Sequence, residues 1–448
     1  MSNNADARAQ WKTRSGFILA ALGAAIGLGN IWRFSYVVGD NGGGAFLVLY
    51  FATIALVGLP LLLVELAVGR ATQREAASAF RQLGRAAPWR SAGVLGVVVS
   101  FVILTYYAVI AGWALKFFAA FASGGYPFAA GEAAAYFRAF TAAAIEPVIW
   151  QACIIVATVG IVTGGIERGI ERANKILMPA LAVIVVGLAI HSLTLPNAGR
   201  GLAFLFAPSW EALAQPRVYL AALGQAFFSL GLAMGVLVTY GSYLPQHHRL
   251  PIAGVIIAFG DTLFAIVAAI VIFPAVFSFG MSPDQGPGLA FITLPEIFAR
   301  MAGGQIVGVA FFGLLVLAAI TSSVALLEIP VAYAIERWGM SRGSAALAIA
   351  AAAFVLGVPS SLGFGPLSQV LLAGLPILDA VDFAASNVIL PLSGLAIALF
   401  AGWHWRRADA LAAIGFRDPR VAQLWRISVR YVAPAMIAIV FLRSLSLI

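Results

Sequence analysis

The stretch GAAIGLGNIWRF, Gly23 to Phe34, decides how this chain is read. It lies in the middle of the first long apolar run, yet it carries Gly23, Gly27 and Gly29, followed at once by Asn30 and Arg33. Lipid offers no hydrogen-bond partner, so irregular backbone at membrane depth persists only where protein or a cavity satisfies it. Glycines four apart also let membrane helices approach closely, and Gly23-x-x-x-Gly27 fits that pattern. Packing gives no reason for the asparagine and arginine that follow. A deliberate interruption of the helix does.

Around this stretch the composition leaves one class open. Of 448 residues, 62% are hydrophobic and 10% charged, against roughly 25% charged in soluble domains. The chain therefore reads as a polytopic membrane protein. Its first fourteen residues are polar and the apolar run behind them is too long for a signal-peptide core, so no cleaved leader is expected. The one cysteine, Cys153, excludes an internal disulfide and a cysteine metal site. The four histidines show no ligand spacing. No nucleophile–base grouping or phosphate-cradling loop points to an enzyme.

A span takes about 20 apolar residues. Eleven are expected, at roughly 14–37, 44–69, 91–121, 147–164, 172–194, 219–243, 252–279, 306–336, 343–358, 374–402 and 424–446. The longest connections are 122–146, 195–218 and 280–305, and the last is expected to form a re-entrant cap on one face. With a cytoplasmic N-terminus, about 20 of the 27 Lys and Arg fall on the cytoplasmic side, as positive-inside topology requires. The odd span count then places the C-terminus outside. The net charge of +9 is thereby a topology signal in a multi-pass inner (plasma) membrane protein embedded in the lipid bilayer, and nucleic-acid binding is not expected.

A second interruption occurs in the sixth span, GQAFFSLGLAMG, Gly224 to Gly235, with Ser229 in its middle. Spans one and six are five apart and cross in opposite directions. Two broken helices at corresponding positions of antiparallel repeats mark a transporter with its site near the bilayer midplane.

At these residues the chain resembles the neurotransmitter:sodium symporter family, whose bacterial members take up amino acids on the LeuT fold. The match is densest over Trp11 to Phe46. GLPLLLVELAVGR, TYYAVIAGW, GIERANKILMP, FFSLGLAMG, AAITSS and LDAVDF follow in the expected order. The resemblance implies an all-α membrane protein and a single transporter domain over 1–448. It implies a 5+5 inverted repeat, about 14–194 and 219–402, with spans one and six broken. An eleventh span, about 424–446, follows, without the twelfth of the more familiar members.

The resemblance also implies two Na+ sites. The first takes the Ala25 carbonyl, Asn30, Ser229 and Asp261, completed by the substrate carboxylate. The second takes the carbonyls of Gly23, Ile26 and Ala318 with the hydroxyls of Thr321 and Ser322. For those hydroxyls alone, back-bonding to their own helix is the simpler account. Asp261 stands where the family usually has asparagine. In chloride-dependent relatives the anion lies beside a tyrosine, a glutamine and two hydroxyls. Tyr50, Gln225 and Ser229 match that set, but Ala265 replaces the last hydroxyl. A fixed charge at Asp261 would take over the anion's role, so chloride is not expected to be required. Alternatively, Asp261 carries a proton on the return step.

For the substrate, Leu28 and Gly29 begin a half-helix whose free N–H groups and dipole attract a carboxylate, and Tyr107 donates to the same group. Carbonyls of Ala25, Phe228 and Ser229 accept from an ammonium. The pocket is expected to be lined by Ala24, Ile103, Gly231, Met234, Ser323 and Leu326, with Phe228 as a lid. Gly27 stands where monoamine carriers place an aspartate, so the substrate brings its own carboxylate. For the gates, Arg33 is expected to face Asp382 through water on the outside. Arg8 would pair with Glu336 inside, braced by Tyr243. The nine residues between Gly169 and Pro179 are expected to unwind and admit water to the second site. Glu65 and Glu328 are expected to have water-linked structural roles.

The function these features imply is sodium-coupled symport of a hydrophobic, large or aromatic amino acid by alternating access. Taurine, betaine and GABA-like substrates, and a non-transporting amino-acid sensor, are the alternatives, and a homodimer is left open. No ring of repeated carbonyls or charges supports a channel.

Overall fold

The computed structural model describes residues 9–84, 87–127, 131–246, 248–283 and 288–445. Nine helices in it are long and apolar enough to cross a membrane: Gly44–Thr72, Trp89–Ser123, Glu146–Thr163, Ile166–Leu193, Leu250–Ser278, Gly304–Trp338, Arg342–Leu362, Ile377–His404 and Pro419–Ser444. These are spans two to five and seven to eleven. Span one is a bent pair, Arg14–Ala25 and Gly29–Asp40, turned by 54° at its break. Span six is interrupted further: helices Pro216–Ser229 and Val236–Ser242 flank an unwound stretch at 230–235. Span nine, expected to stop before Pro359, runs on to Leu362. Pro359 lacks the N–H that would bond to the Val355 carbonyl one turn back, and the helix continues past it for three residues.

Burial orders the bundle. In spans three and eight 72% of the most apolar window is buried, against 33% in spans four and five and 22% in span eleven. Spans three and eight are therefore the central posts, and the others wrap them. Outward-facing Val156, Val183, Phe259, Val355 and Leu424 are exposed, as a lipid-facing surface requires. Trp210, Trp338 and Trp403 are exposed near helix ends, where amphipathic rings sit at membrane interfaces.

Alternate connections lie on the two ends of the bundle, here named the N-side, which carries the N-terminus, and the far side. On the far side, Leu289–Thr293 and Leu294–Arg300 form the cap expected from the loop. Phe291 seats it, its ring 5.7 Å from those of Trp113 and Phe117 on span three.

The unwound part of span six exposes backbone polar groups inside the bundle, and other spans answer them. Ala233, at a left-handed φ of 63°, is costly for a residue with a Cβ. Its N–H donates to Glu65 Oε1 of span two at 2.7 Å, and its C=O accepts from Ser393 of span ten at 2.7 Å. The Met234 carbonyl accepts from Ser100 of span three. Gly231 and Gly235 supply the two other left-handed residues of the stretch at no steric cost. Glu65 thus meets the backbone directly, where a water-linked role was expected. Glu65→Ala strips a buried N–H of its acceptor and is expected to cost roughly 1–3 kcal/mol. Glu65→Gln, which keeps an acceptor oxygen, should stay near wild type. Thermal unfolding in detergent reads the difference.

Candidate functional site

The first helix of span one ends at Ala25, and the next, π-wound at its start, begins at Gly29. Between them the chain is bonded to its surroundings. The Gly27 N–H donates to Asn30 Oδ1 at 3.2 Å, and the Leu28 N–H donates to the Tyr107 hydroxyl at 3.1 Å. Gly27 leaves no room for a side chain. A Cβ there would lie 2.4 Å from Ser322 Oγ and 2.8 Å from the Tyr107 hydroxyl.

A small central cavity opens at this break, about 30 Å³, enough for a water or two. Ala24, Ala25 and Gly29 line it from span one, Ile103 and Tyr107 from span three. Phe228, Gly231, Met234 and Leu326 complete the part expected from sequence. Ser322, expected at the second cation site, also faces it, as do Val236 and Ala325, whose apolar settings gave no local signal. Leu28, Ser229 and Ser323 are buried outside the lining. A Cβ on Gly231 would meet nothing within 4 Å. Here the wall is backbone, and its φ of 61° keeps it glycine.

Beside the cavity, three polar side chains from different spans converge. Asn30 Nδ2 donates to Asp261 Oδ1 at 2.6 Å and to Ser229 Oγ at 3.0 Å, and Ser229 Oγ donates to Asp261 Oδ2 at 2.7 Å. All three are buried. The arrangement differs from expectation in one respect. Asn30 turns its nitrogen toward this cluster, because an ionised carboxylate only accepts, while its oxygen serves Gly27. No lysine or arginine among the described residues forms an ion pair with Asp261. A buried carboxylate met only by neutral donors is a strong attractor for a cation.

A second oxygen-rich cluster lies where spans one and eight meet. Ser322 Oγ is 3.4 Å from the carbonyl oxygens of both Gly23 and Ala24. Thr321 Oγ1 donates to the Ala318 carbonyl at 2.9 Å, the back-bonding that a helix hydroxyl adopts by default. Ile26 leaves the helix at ψ 100°, which turns its carbonyl out of the ladder. Hydroxyls and main-chain carbonyls in one place suit a hard monovalent cation.

Phe228 separates the central cavity from a larger vestibule on the far side, about 410 Å³, and lines both. Arg33 holds this lid. Its guanidinium lies 4.8 Å from the Phe228 ring centre and donates to Gln225 Oε1 at 2.9 Å. Gln225 Nε2 in turn donates to the Gly29 carbonyl at 3.0 Å. Arg33 makes no direct ion pair with Asp382, whose Oδ1 accepts from Ser386 at 2.9 Å.

The N-side is closed by contacts that sequence reasoning only partly found. Trp11 is buried, its Nε1 donating to the Tyr240 carbonyl at 2.9 Å and its N–H to the Tyr243 carbonyl at 3.1 Å. Glu171 of span five accepts from the Lys12 N–H and the Thr13 hydroxyl, both at 2.8 Å, and pairs with Lys175 at 2.6 Å. Arg8, assigned to the inner gate, lies outside the described residues. Glu336 accepts from Arg74 at 3.1 Å and from the Glu75 N–H at 3.0 Å. The Tyr243 hydroxyl donates to Glu328 Oε1 at 2.7 Å, a contact beyond those expected from the sequence. Glu328 is also gripped by Arg342 at 2.7 and 3.0 Å. The stretch from Gly169 to Pro179 is wound throughout, as a π-helix at Ile166–Glu171 and then an α-helix from Arg172.

Comparison with known proteins adds the following. The model of the sodium:neurotransmitter symporter family matches residues 8–135 and 143–448. An uncharacterised sodium-dependent transporter of Bacillus subtilis, YhdH, is 35% identical over 443 residues, which cover 98% of this chain and 98% of that protein. Another, from Haemophilus influenzae, is 32% identical over 457 residues, covering 99% and 100%. The crystal structure of MhsT in complex with L-phenylalanine is 51% identical, with a TM-score of 0.92 over 98% of this chain and 100% of that one.

The shared wall at Phe228 can be tested directly. In a Cys153→Ser background, Leu326→Cys places a thiol in the central cavity. Adding Phe228→Ala is expected to speed its labelling from the far side by a membrane-impermeant thiol reagent about tenfold, the effect of removing roughly 1.4 kcal/mol of barrier.

Proposed function

The chain belongs to the sodium:neurotransmitter symporter family, and we propose that it imports hydrophobic amino acids by sodium-coupled symport, with the N-side facing the cytoplasm. A sodium-dependent secondary transporter, not an enzyme, is what the family and its relatives have in common, and the chain has the LeuT fold of its structural neighbour. The finer reading rests on one observation above the others. The central cavity meets the start of a half-helix at Gly29 and the Tyr107 hydroxyl on one wall, and is otherwise lined by uncharged side chains and backbone.

On this reading the Leu28–Gly29 end and Tyr107 receive the substrate carboxylate. Carbonyls at the breaks of spans one and six receive its ammonium. The crowding at Gly27 supports a substrate that supplies its own carboxylate, since an aspartate side chain there would collide with Ser322. The apolar floor of Ile103, Met234 and Leu326 suits an aliphatic or aromatic side chain. At about 30 Å³ the cavity admits such a group only when Phe228 lifts or the flexible Met234 turns aside. That the neighbouring structure holds L-phenylalanine favours the same class. Two Na+ are proposed as the coupling ions. One goes at Ala25, Asn30, Ser229 and Asp261. The other goes at Gly23, Ile26, Ala318, Thr321 and Ser322.

Chloride is proposed to be dispensable. Ser229, which would donate to an anion, donates instead to the Asp261 carboxylate, so the compensating negative charge is covalently supplied. In proteoliposomes, labelled leucine uptake is expected to require an inward sodium gradient and to be competed by tryptophan but not by GABA. Competition by GABA alone would favour the γ-amino-acid reading, and uptake indifferent to sodium would overturn the coupling. Replacing chloride by gluconate should leave wild-type uptake unchanged. Asp261→Asn should lower uptake at least tenfold in gluconate and recover part of it in chloride.

A further inference from the structure

We propose that the side-chain oxygen of Asn174, on span five, is a further ligand of the second sodium site, which is otherwise drawn from spans one and eight. The proposal rests on reading the Gly23–Ser322 cluster as a sodium site.

Asn174 is 1% exposed. Its Nδ2 donates to the Ile170 carbonyl one turn back at 2.9 Å. That bond fixes the amide, because the reverse orientation would set oxygen against oxygen. Oδ1 then points away from its own helix, and it has no hydrogen-bond partner among the described residues. A buried acceptor with nothing to accept from is unfavourable, and natural structures keep few of them.

Where this oxygen points is fixed by Gly23. A Cβ built on Gly23 would lie 2.0 Å from Asn174 Oδ1 and 3.2 Å from Thr321 Cβ. Glycine at this position is therefore a requirement of the site, because any side chain would expel the amide oxygen from it. Oδ1 and Thr321 flank the same face of Gly23, and the Gly23 carbonyl is contacted by Ser322. An amide oxygen is a neutral, hard donor of the kind that hydroxyls and carbonyls already provide there. Sodium needs no proton from its ligand, so it satisfies an oxygen that no donor reaches.

The placement also links the site to closure of the N-side. Glu171, three residues before Asn174, is bound by the Lys12 N–H and the Thr13 hydroxyl. Thr13 caps the first helix of span one through the Gly16 N–H. The turn carrying Asn174 is thereby tied to the segment that must move when the N-side opens. Withdrawal of span five removes one oxygen from the ion in the state that releases it.

The test uses the full-length protein in detergent without amino acid, exchanging choline chloride for sodium chloride at constant ionic strength. Radioactive sodium binding and thermal shift both report the sodium midpoint. Asn174→Ala and Asn174→Leu are expected to raise that midpoint about tenfold, the weight of one oxygen donor to a charged group. Leucine binding at saturating sodium should stay within about twofold of wild type. Asn174→Asp, which keeps an oxygen in place, should bind sodium at least as tightly as wild type. It decides the matter with Asn174→Ala should the leucine variant fail to fold. An unchanged midpoint in the alanine variant, or a loss of thermal stability equal at every sodium concentration, overturns the proposal and leaves the amide a helix-packing role. A wild-type protein with no sodium response overturns the reading of the site itself.

Discussion

Every feature of the site depends on one constraint. Backbone freed from a helix inside a membrane protein must find other partners, since lipid supplies none. Here the partners come from all around the bundle. Tyr107 of span three accepts from Leu28, Glu65 of span two accepts from Ala233, Ser393 of span ten donates to the Ala233 carbonyl, and Gln225 donates to the Gly29 carbonyl. Each bond contributes about 1 kcal/mol net, while leaving its buried group unmade costs more. The breaks are therefore held by the intact spans. What the breaks gain is a set of carbonyls and N–H groups with fixed directions at mid-depth, which unbroken helices cannot present.

The same constraint sorts three carboxylates that are 0% exposed among the described residues, Glu65, Asp261 and Glu328. Glu328 is compensated by Arg342 and the Tyr243 hydroxyl, which is the signature of a fixed structural pair. Glu65 is matched to a backbone N–H at the span-six break. Asp261 alone of the three is met by neutral side-chain donors, Asn30 and Ser229, both beside the interrupted helices. Burial by itself does not separate structure from function here. What marks Asp261 is that its neutral donors, Asn30 and Ser229, come from the two interrupted spans.

The sequence made the interruptions legible because they are local. Glycines with Asn30 in one apolar run and with Ser229 in another need no knowledge of distant residues. The spans were legible for the same reason, although spans five and eleven begin more than a turn earlier than expected and span nine runs a turn further. Glu171 and Asn174 were not legible. Each is a single polar residue in GIERANKILMP, and its meaning comes from a partner about 150 residues away, Thr13 and Gly23 respectively. The Tyr243–Glu328 contact was not legible either, because its partners lie 85 residues apart and only packing brings them together.

Coupling between ion and substrate follows from shared residues. Ala25, Gly27 and Gly29 border the central cavity, and the Gly27 N–H is held by the same Asn30 that binds Asp261. Ser322 borders the cavity too, while reaching the Gly23 and Ala24 carbonyls. A cation that orders either cluster therefore orders a wall of the cavity, and a ligand that orders the wall returns the favour. Coupling free energies are reciprocal and typically 1–3 kcal/mol, a size that one or two shared hydrogen bonds supply. No long-range pathway is required, because the two proposed ion sites and the substrate cavity meet at the break of span one.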